Sequence, residues 1–274
     1  MELRDRICVV TGGAGGIGAA LARAFVDEGA RHVVVVDRAA DGAREVAAAL
    51  GERASARAVD VTDEAAVAAL VAGTEDEVGP IDLFVSNAGV LGLGGVEVPD
   101  ATWSLAWDVN VMAHVYAARA LVPRMLARGG GYLLSTASAA GLLTQPGDAP
   151  YSVTKHAAVA LAEWLSITYG DQGITVSCLC PMAVDTAMLR GGLPPGEAPP
   201  PTTGAGGAAA VQGILAAERV AGAVVEGLRD ERFLILPHPE VATFERRRTG
   251  DRDRWLAGMR RLVASLAGGD VPLP

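Results

Sequence analysis

Ile7-Cys8-Val9-Val10-Thr11-Gly12-Gly13-Ala14-Gly15-Gly16-Ile17-Gly18 decides the fold. Ile7 to Val10 read as a short buried strand. A helical pattern follows from about Ile17 to Glu28 and is stopped by Gly29. Between them Gly13, Gly15 and Gly18 satisfy the spacing G-x-G-x-x-G. In a chain with 34 glycines that spacing alone is weak. A preceding strand, a following helix and an acid, Asp37, 19 positions after Gly18 make it a dinucleotide-binding fingerprint.

The physics of such a loop is simple. Glycines let the backbone approach a pyrophosphate, and a helix N-terminus offers free N–H groups and a positive dipole end. The Asp37 carboxylate can accept hydrogen bonds from both ribose hydroxyls and repels a 2′-phosphate, which favours NAD. Arg38, next along, could hold a 2′-phosphate and keeps NADP open. The competing reading is that Asp37 only caps a helix and the glycines only make a tight turn.

Outward from this stretch, apolar runs alternate with helical patterns. Strands are expected at Val33–Val36, ending near Val59-Asp60, at Ile81–Val85, Tyr132–Ser135, Ile174–Leu179 and Phe233–Leu236. Helices are expected at about Ala40–Leu50, after an N-cap at Thr62, over Trp103–Arg128 with a bend at Pro123, over Tyr151–Tyr169, from Glu218, and after Pro239. Strands separated by helices of this length imply βαβ units. The expected architecture is one α/β Rossmann domain over 1–274, a doubly wound, mostly parallel seven-stranded sheet flanked by helices. Residues 187–213, rich in Gly, Pro and Ala, read as a substrate lid, and the chain closes with a helix after about 239.

Bulk properties exclude several classes. Half of the 274 residues are hydrophobic, enough for a sizeable core. The net charge of −9 disfavours nucleic acid as a partner. The basic run Arg246-Arg247-Arg248 reads as a solvated helix face or a salt-bridge cluster. Three cysteines, Cys8, Cys178 and Cys180, make no disulfide framework, and the last two fall on one face of a strand as small hydrophobes. No metal-ligand spacing is present among the four histidines, and neither a signal-peptide pattern nor a membrane-spanning run is found. A reduced, cytoplasmic setting is the expectation.

Tyr151-Ser152-Val153-Thr154-Lys155 sets a phenol and an ammonium at i and i+4, one turn apart on one helix face. A nearby cation favours the phenolate, so the pair can move a proton to or from an alcohol oxygen. Lys155 is the chain's only lysine; arginine supplies every other basic side chain. An ammonium is compact and rotatable where a guanidinium is not. The bland alternative is an exposed helical Tyr–Lys pair worth about a few tenths of a kcal/mol.

Together these segments resemble the short-chain dehydrogenase/reductase family over nearly the whole chain, from Ile7 to about Leu236. The loop reads Thr-Gly-x3-Gly-x-Gly, with Gly12, Gly16 and Gly18 around Ile17. Asp60-Val61 resembles the family's adenine-contacting pair. Ser86-Asn87-Ala88-Gly89 resembles its Asn-Asn-Ala-Gly turn, with Ser replacing the first Asn. Cys180-Pro181-Met182-Ala183-Val184-Asp185-Thr186 resembles its Pro-Gly-x-Val-x-Thr segment, with Met182 replacing Gly. The resemblance implies that Ser138, 13 residues before Tyr151, orients the substrate oxygen, ahead of the local competitors Ser135 and Thr136. It implies that Asn110 supports a proton relay behind Lys155, and that Val184 and Thr186 contact the nicotinamide carboxamide.

The implied activity is hydride transfer between NAD(H) and a secondary alcohol or ketone. The apolar lid composition points to a hydrophobic small-molecule substrate, and the resemblance to a homodimer or homotetramer. Two alternatives remain at this stage: an NADP-linked ketoreductase of 3-oxoacyl or polyketide type, and a non-catalytic dinucleotide sensor on the same fold.

Overall fold

The computed structural model describes residues 1–191 and 213–268. Seven strands form the main sheet: β1 (Ile7–Thr11), β2 (His32–Asp37), β3 (Ala54–Ala58), β4 (Leu83–Ser86), β5 (Gly131–Thr136), β6 (Ile174–Leu179) and, last in the chain, β9 (Leu234–Ile235). Their order is β3-β2-β1-β4-β5-β6-β9, and every neighbouring pair is parallel. The expected doubly wound sheet is therefore present, with no antiparallel member among the described residues.

Strand alternation divides the core. Cys8, Val10, Val33, Val35, Leu83 and Leu134 project to one face, with α1 (Gly16–Asp27), α2 (Ala40–Leu50) and α9 (Ala217–Arg229). Val9, Val34, Phe84, Leu133 and Val176 project to the other, with α3 (Glu64–Glu77), α5 (Ala113–Ala127) and α7 (Ala149–Tyr169). Both faces are covered, which is why these strands are apolar at consecutive rather than alternate positions. Each buried Val or Leu contributes about 1.5–3 kcal/mol.

The topology also fixes where a ligand belongs. From β1 the chain winds to β2 and β3 in one direction, then crosses back to β4, β5 and β6 in the other. The connections diverge between β1 and β4 and leave a crevice at the carboxyl ends of those strands.

Several boundaries differ from the sequence reading. Strand β3 ends at Ala58, before Val59-Asp60. Asp63, not Thr62, caps α3: its side chain accepts from the amides of Ala65 and Ala66, while Thr62 is itself held by Asp60. The Trp103–Arg128 region comprises α4 (Asp100–Trp107), a π-helical turn (Asp108–Met112) and α5, with Pro123 inside α5. A short helix, α6 (Ala140–Leu143), follows β5. The two-residue strands β7 (Val184–Asp185) and β8 (Leu215–Ala216) pair in parallel. Between them α8 (Ala187–Arg190) is described, whereas 192–212, most of the expected lid, lie outside the described residues. After Pro239 there are two helices rather than one, α10 (Glu240–Gly250) and α11 (Arg252–Gly268).

Candidate active site

The glycine loop is locked to the turn after β4 by one hydroxyl. Thr11 Oγ1 donates to the Val85 carbonyl at 3.2 Å and accepts from the amides of Asn87 (2.9 Å) and Ala88 (3.2 Å). The Asn87 side-chain amide returns the contact, donating to the Thr11 carbonyl at 3.0 Å. The backbones then lie so close that a Cβ on Gly12 would meet Ala88 Cα at 2.9 Å, and Gly12 already has φ +64°. A Cβ on Gly18 would lie 2.1 Å from the Gly12 carbonyl oxygen. That glycine serves helix–loop packing, as does Gly13, whose added Cβ would meet Val35 at 2.7 Å.

Gly15 is different, because nothing lies within 4 Å of an added Cβ. It precedes α1, whose first turn has no side-chain cap and no acidic residue. Open space over an uncapped, positively polarised helix start fits a pyrophosphate. Asp37, at the end of β2, accepts from the amides of Ala14 (3.1 Å) and Ala39 (3.0 Å), one on each oxygen. Asp37 therefore braces the glycine loop and the turn before α2 but caps neither helix, since neither α1 nor α2 has a side-chain cap. Each oxygen keeps a second acceptor site, and the side chain borders the crevice.

That crevice is a cavity of about 1100 Å³. Gly12, Gly15, Gly16, Ile17 and Asp37 form one end; Asn87, Ala88 and Gly89 form its middle. Ser138, Tyr151, Lys155, Pro181, Met182 and Val184 line the remainder, and Thr186 lies against Gly16, where an added Cβ would meet its Cγ2 at 2.9 Å. Fifteen of the residues singled out in the sequence therefore share one cavity wall. Gly13 and Gly18 lie beneath the loop. Arg38, Asp60 and Val61 do not border the cavity, and the Asp60 carboxylate is engaged by its own turn through Thr62.

Lys155 is 3% exposed, and its Nζ donates to the Thr136 carbonyl at 2.9 Å. It lies 5.5 Å from the centre of the Tyr151 ring. Burial lowers its pKa to about 8. The Tyr151 hydroxyl is hydrogen-bonded to Ser138. Burial pushes its pKa up to about 12, outweighing the lowering from Ser138. This corrects the expectation that Lys155 would depress the phenol, since among these protein groups desolvation dominates. Ser138 accepts from the Ala140 amide at 3.1 Å, which aims its oxygen at Tyr151. Ser135 instead faces His114, 3.2 Å away, and leaves the substrate position to Ser138.

Asn110, on the π-helical turn, is fully buried and does not border the cavity. Its side chain exchanges two 2.9 Å hydrogen bonds with the Val90 backbone and donates to Thr154 Oγ1 at 3.1 Å. Only Gly89 separates it from the lysine: a Cβ there would be 3.3 Å from Asn110 Oδ1 and 3.4 Å from Lys155 Nζ.

Two positioning residues escaped the sequence reading. Asp148, 1% exposed, caps α7 by accepting from the Tyr151 amide at 2.9 Å, and its other oxygen accepts from Gly92 at 3.0 Å. Asp148 two residues before Pro150 is a helix-start signal that could have revealed it. Replacing Asp148 by Ala removes both acceptors and should cost about 3 kcal/mol, seen as a Tm lower by about 5–10 °C. An unchanged Tm would show that the cap contributes nothing. His238 is the second: its Nδ1 accepts from the Met182 amide at 3.2 Å, fixing the segment in which Met replaces Gly. Nothing in its sequence context marks that role.

A parallel sheet with a phosphate-type loop at its switch point, a half-buried Tyr151 and the buried Lys155 and Ser138 beside it define the chain as a nicotinamide-dependent oxidoreductase. A family model for short chain dehydrogenases matches residues 6–193, and the chain belongs to that family. It is 40% identical to the 1-deoxy-11-beta-hydroxypentalenate dehydrogenase of Streptomyces exfoliatus over 248 residues, 88% of this chain and 86% of that one. Identity to the protein of the same name from Streptomyces avermitilis is 38%, over 93% and 92% of the two chains. A short chain dehydrogenase/reductase from Burkholderia phymatum, solved in complex with NAD, superposes with a TM-score of 0.81 at 28% identity, covering 92% of this chain and 96% of that one. The chain is an oxidoreductase that transfers hydride between a nicotinamide dinucleotide and an alcohol or ketone. Among the described residues no helix is long and apolar enough to cross a membrane.

Proposed function

We propose that the protein is an NAD(H)-linked dehydrogenase of hydrophobic secondary alcohols, acting reversibly on the corresponding ketones. The observation that carries this reading is the placement of Ser138, Tyr151 and Lys155 at one end of the cavity whose other end holds Asp37. The glycine loop and α1 would hold the pyrophosphate, Asp37 the adenosine ribose, Lys155 the nicotinamide ribose, and Val184 and Thr186 the carboxamide. Bound there, the dinucleotide supplies or accepts the hydride.

The residues of the chain manage the proton. In ketone reduction, Ser138 donates to the carbonyl oxygen and Tyr151, protonated at neutral pH, delivers its hydroxyl proton to that oxygen. Lys155 stabilises the charge left on the phenol, and Asn110, across Gly89 from Lys155, would support the relay that resupplies the proton. In alcohol oxidation the proton travels the opposite way. The substrate wall is apolar, with Leu143, Met182, Phe244, Trp255 and Leu262, which supports a hydrophobic substrate. The Streptomyces relatives are named as dehydrogenases of a hydroxypentalenate, which supports a hydroxyl-bearing one. A single functional domain, a cytoplasmic setting and a homodimer or homotetramer complete the reading.

NAD is favoured over NADP because Asp37 borders the cavity whereas Arg38 does not. Asp37→Ala should therefore reduce the ratio of kcat/KM with NAD to that with NADP by about tenfold, equivalent to about 1.4 kcal/mol. Steady-state kinetics with both cofactors measures it. An unchanged ratio removes Asp37 from the ribose, and an initial preference for NADP transfers the reading to an NADP-linked ketoreductase. Oxidation of a panel of secondary alcohols, followed by reduced-nicotinamide absorbance, tests the reading as a whole.

A further inference from the structure

One wall, at the mouth of the cavity, is built by the two C-terminal helices, and its charge is opposite to that of the protein. The chain carries a net charge of −9, yet this wall presents Arg247 from α10 and Arg254 and Arg261 from α11. Arg254 and Arg261 are seven residues apart, so they lie on one helix face. Trp255 and Leu262, also bordering the cavity, follow them at the same spacing. Among the described residues, no hydrogen bond or ion pair engages these three guanidinium groups. Arg190 borders the cavity too, but is paired with Asp185. The one carboxylate on the wall, Asp251, accepts from the Arg254 backbone amide at 2.9 Å.

The helices stand on the catalytic half rather than the adenosine half. Val241 of α10 is fully buried in the same core cluster as Leu142, Leu143 and Val159. Arg248 reaches His156, the neighbour of Lys155, at 3.3 Å. Arg247, Arg254 and Arg261 therefore border the cavity from helices packed beside its catalytic residues. Phe244 and Trp255, with ring centres 6.4 Å apart, supply apolar surface beside them.

We propose that the substrate is amphipathic: an apolar secondary alcohol or ketone with an anionic group, carboxylate or phosphate, at the end remote from the carbinol. Guanidinium forks suit both anions, and an aromatic floor suits a hydrocarbon body. The inference rests on the hydride-transfer reading above and adds the charge of the substrate. It also accounts for three like charges gathered at the mouth of an acidic protein, where they would draw an anion in from solution.

The test uses the full chain with saturating nicotinamide dinucleotide and three probes: a hydroxydecalin carboxylate, its methyl ester, and the phosphate monoester of the corresponding hydroxymethyl compound. Affinity is measured by isothermal titration and kcat/KM by steady-state kinetics. Wild-type protein should bind at least one anion about tenfold more tightly than the ester, and the acid and phosphate arms identify which. In the Arg254→Gln, Arg261→Gln double variant that ratio should fall towards one, mainly through KM. Arg246→Gln, on an exposed side chain of α10 outside the cavity, should keep it. Gln is a good helix former, and unchanged circular dichroism verifies folding.

Equal affinity for anion and ester, absence of anion binding at millimolar concentration, or a ratio indifferent to the double variant overturns the proposal. An equal loss of dinucleotide affinity in the double variant also overturns it by assigning the arginines to the cofactor. Turnover of the neutral ester without anion preference defeats this inference alone. Turnover of no alcohol of either charge defeats the hydride-transfer assignment on which it rests.

Discussion

Tyr151→Phe is expected to lower kcat by at least about a hundredfold in both directions while dinucleotide binding persists. The change removes one oxygen and keeps the ring, so α7 and the cavity wall retain their packing. Its chemical consequence is much larger. The hydroxyl is the group hydrogen-bonded to Ser138 and is the only phenol bordering the cavity among the described residues. Without it no acid of suitable position remains, because Ser138 supplies a hydrogen bond rather than its proton and Lys155 is turned to the Thr136 carbonyl. Steady-state rates combined with a fluorescence titration of reduced cofactor separate the two effects. Retention of more than a tenth of wild-type kcat would remove Tyr151 from the proton-transfer role. Loss of cofactor binding alongside turnover would mean the ring had shifted.

Lys155→Met should be nearly as damaging, with a different signature. The side chains have similar length, but the variant leaves the buried Thr136 carbonyl without its donor and removes the cation beside the phenol. A loss of about a hundredfold or more in kcat/KM follows from the missing charge. The pH profile supplies a second readout. Lys155 has a pKa lowered to about 8, so it is charged below that pH and loses its proton above it. Wild-type kcat/KM for ketone reduction should be level near pH 6–7 and decline as pH rises through about 8. The residual activity of the variant should lack that limb. A limb that survives in Lys155→Met belongs to another group, and wild-type activity in the variant would end the assignment. Lys155→Arg should not rescue the enzyme, because the site is closely packed. Gly89 illustrates it: a single added Cβ there would already lie 3.4 Å from the Lys155 Nζ, and a guanidinium is broader than that ammonium.

Much of this site was legible because its chemistry depends on local spacing. Gly13, Gly15 and Gly18 had to sit at fixed offsets for one turn to join strand to helix. Tyr151 and Lys155 had to be one helical turn apart to share a face. Asp37 ends a β-branched run, so its position at a strand terminus could be read from composition. Residues whose contacts are distant in sequence were harder. Thr11 clamps a turn 76 residues away, and His238 holds an amide 56 residues away. Neither pairing leaves a periodic trace.

The sequence by itself determined the winding of the fold and the identity of the Tyr151–Lys155 pair, because strand alternation, glycine punctuation and helical periodicity are short-range properties. Only the tertiary structure decided how those groups behave. It turned Asp37 towards the cavity and left Arg38, Asp60 and Val61 off its wall. It buried Tyr151 enough to raise its pKa where sequence logic expected a fall, and it carried Arg254 and Arg261 from the end of the chain to the same cavity. Desolvation and the meeting of distant segments depend on what surrounds a residue in three dimensions, and periodicity along the chain contains neither.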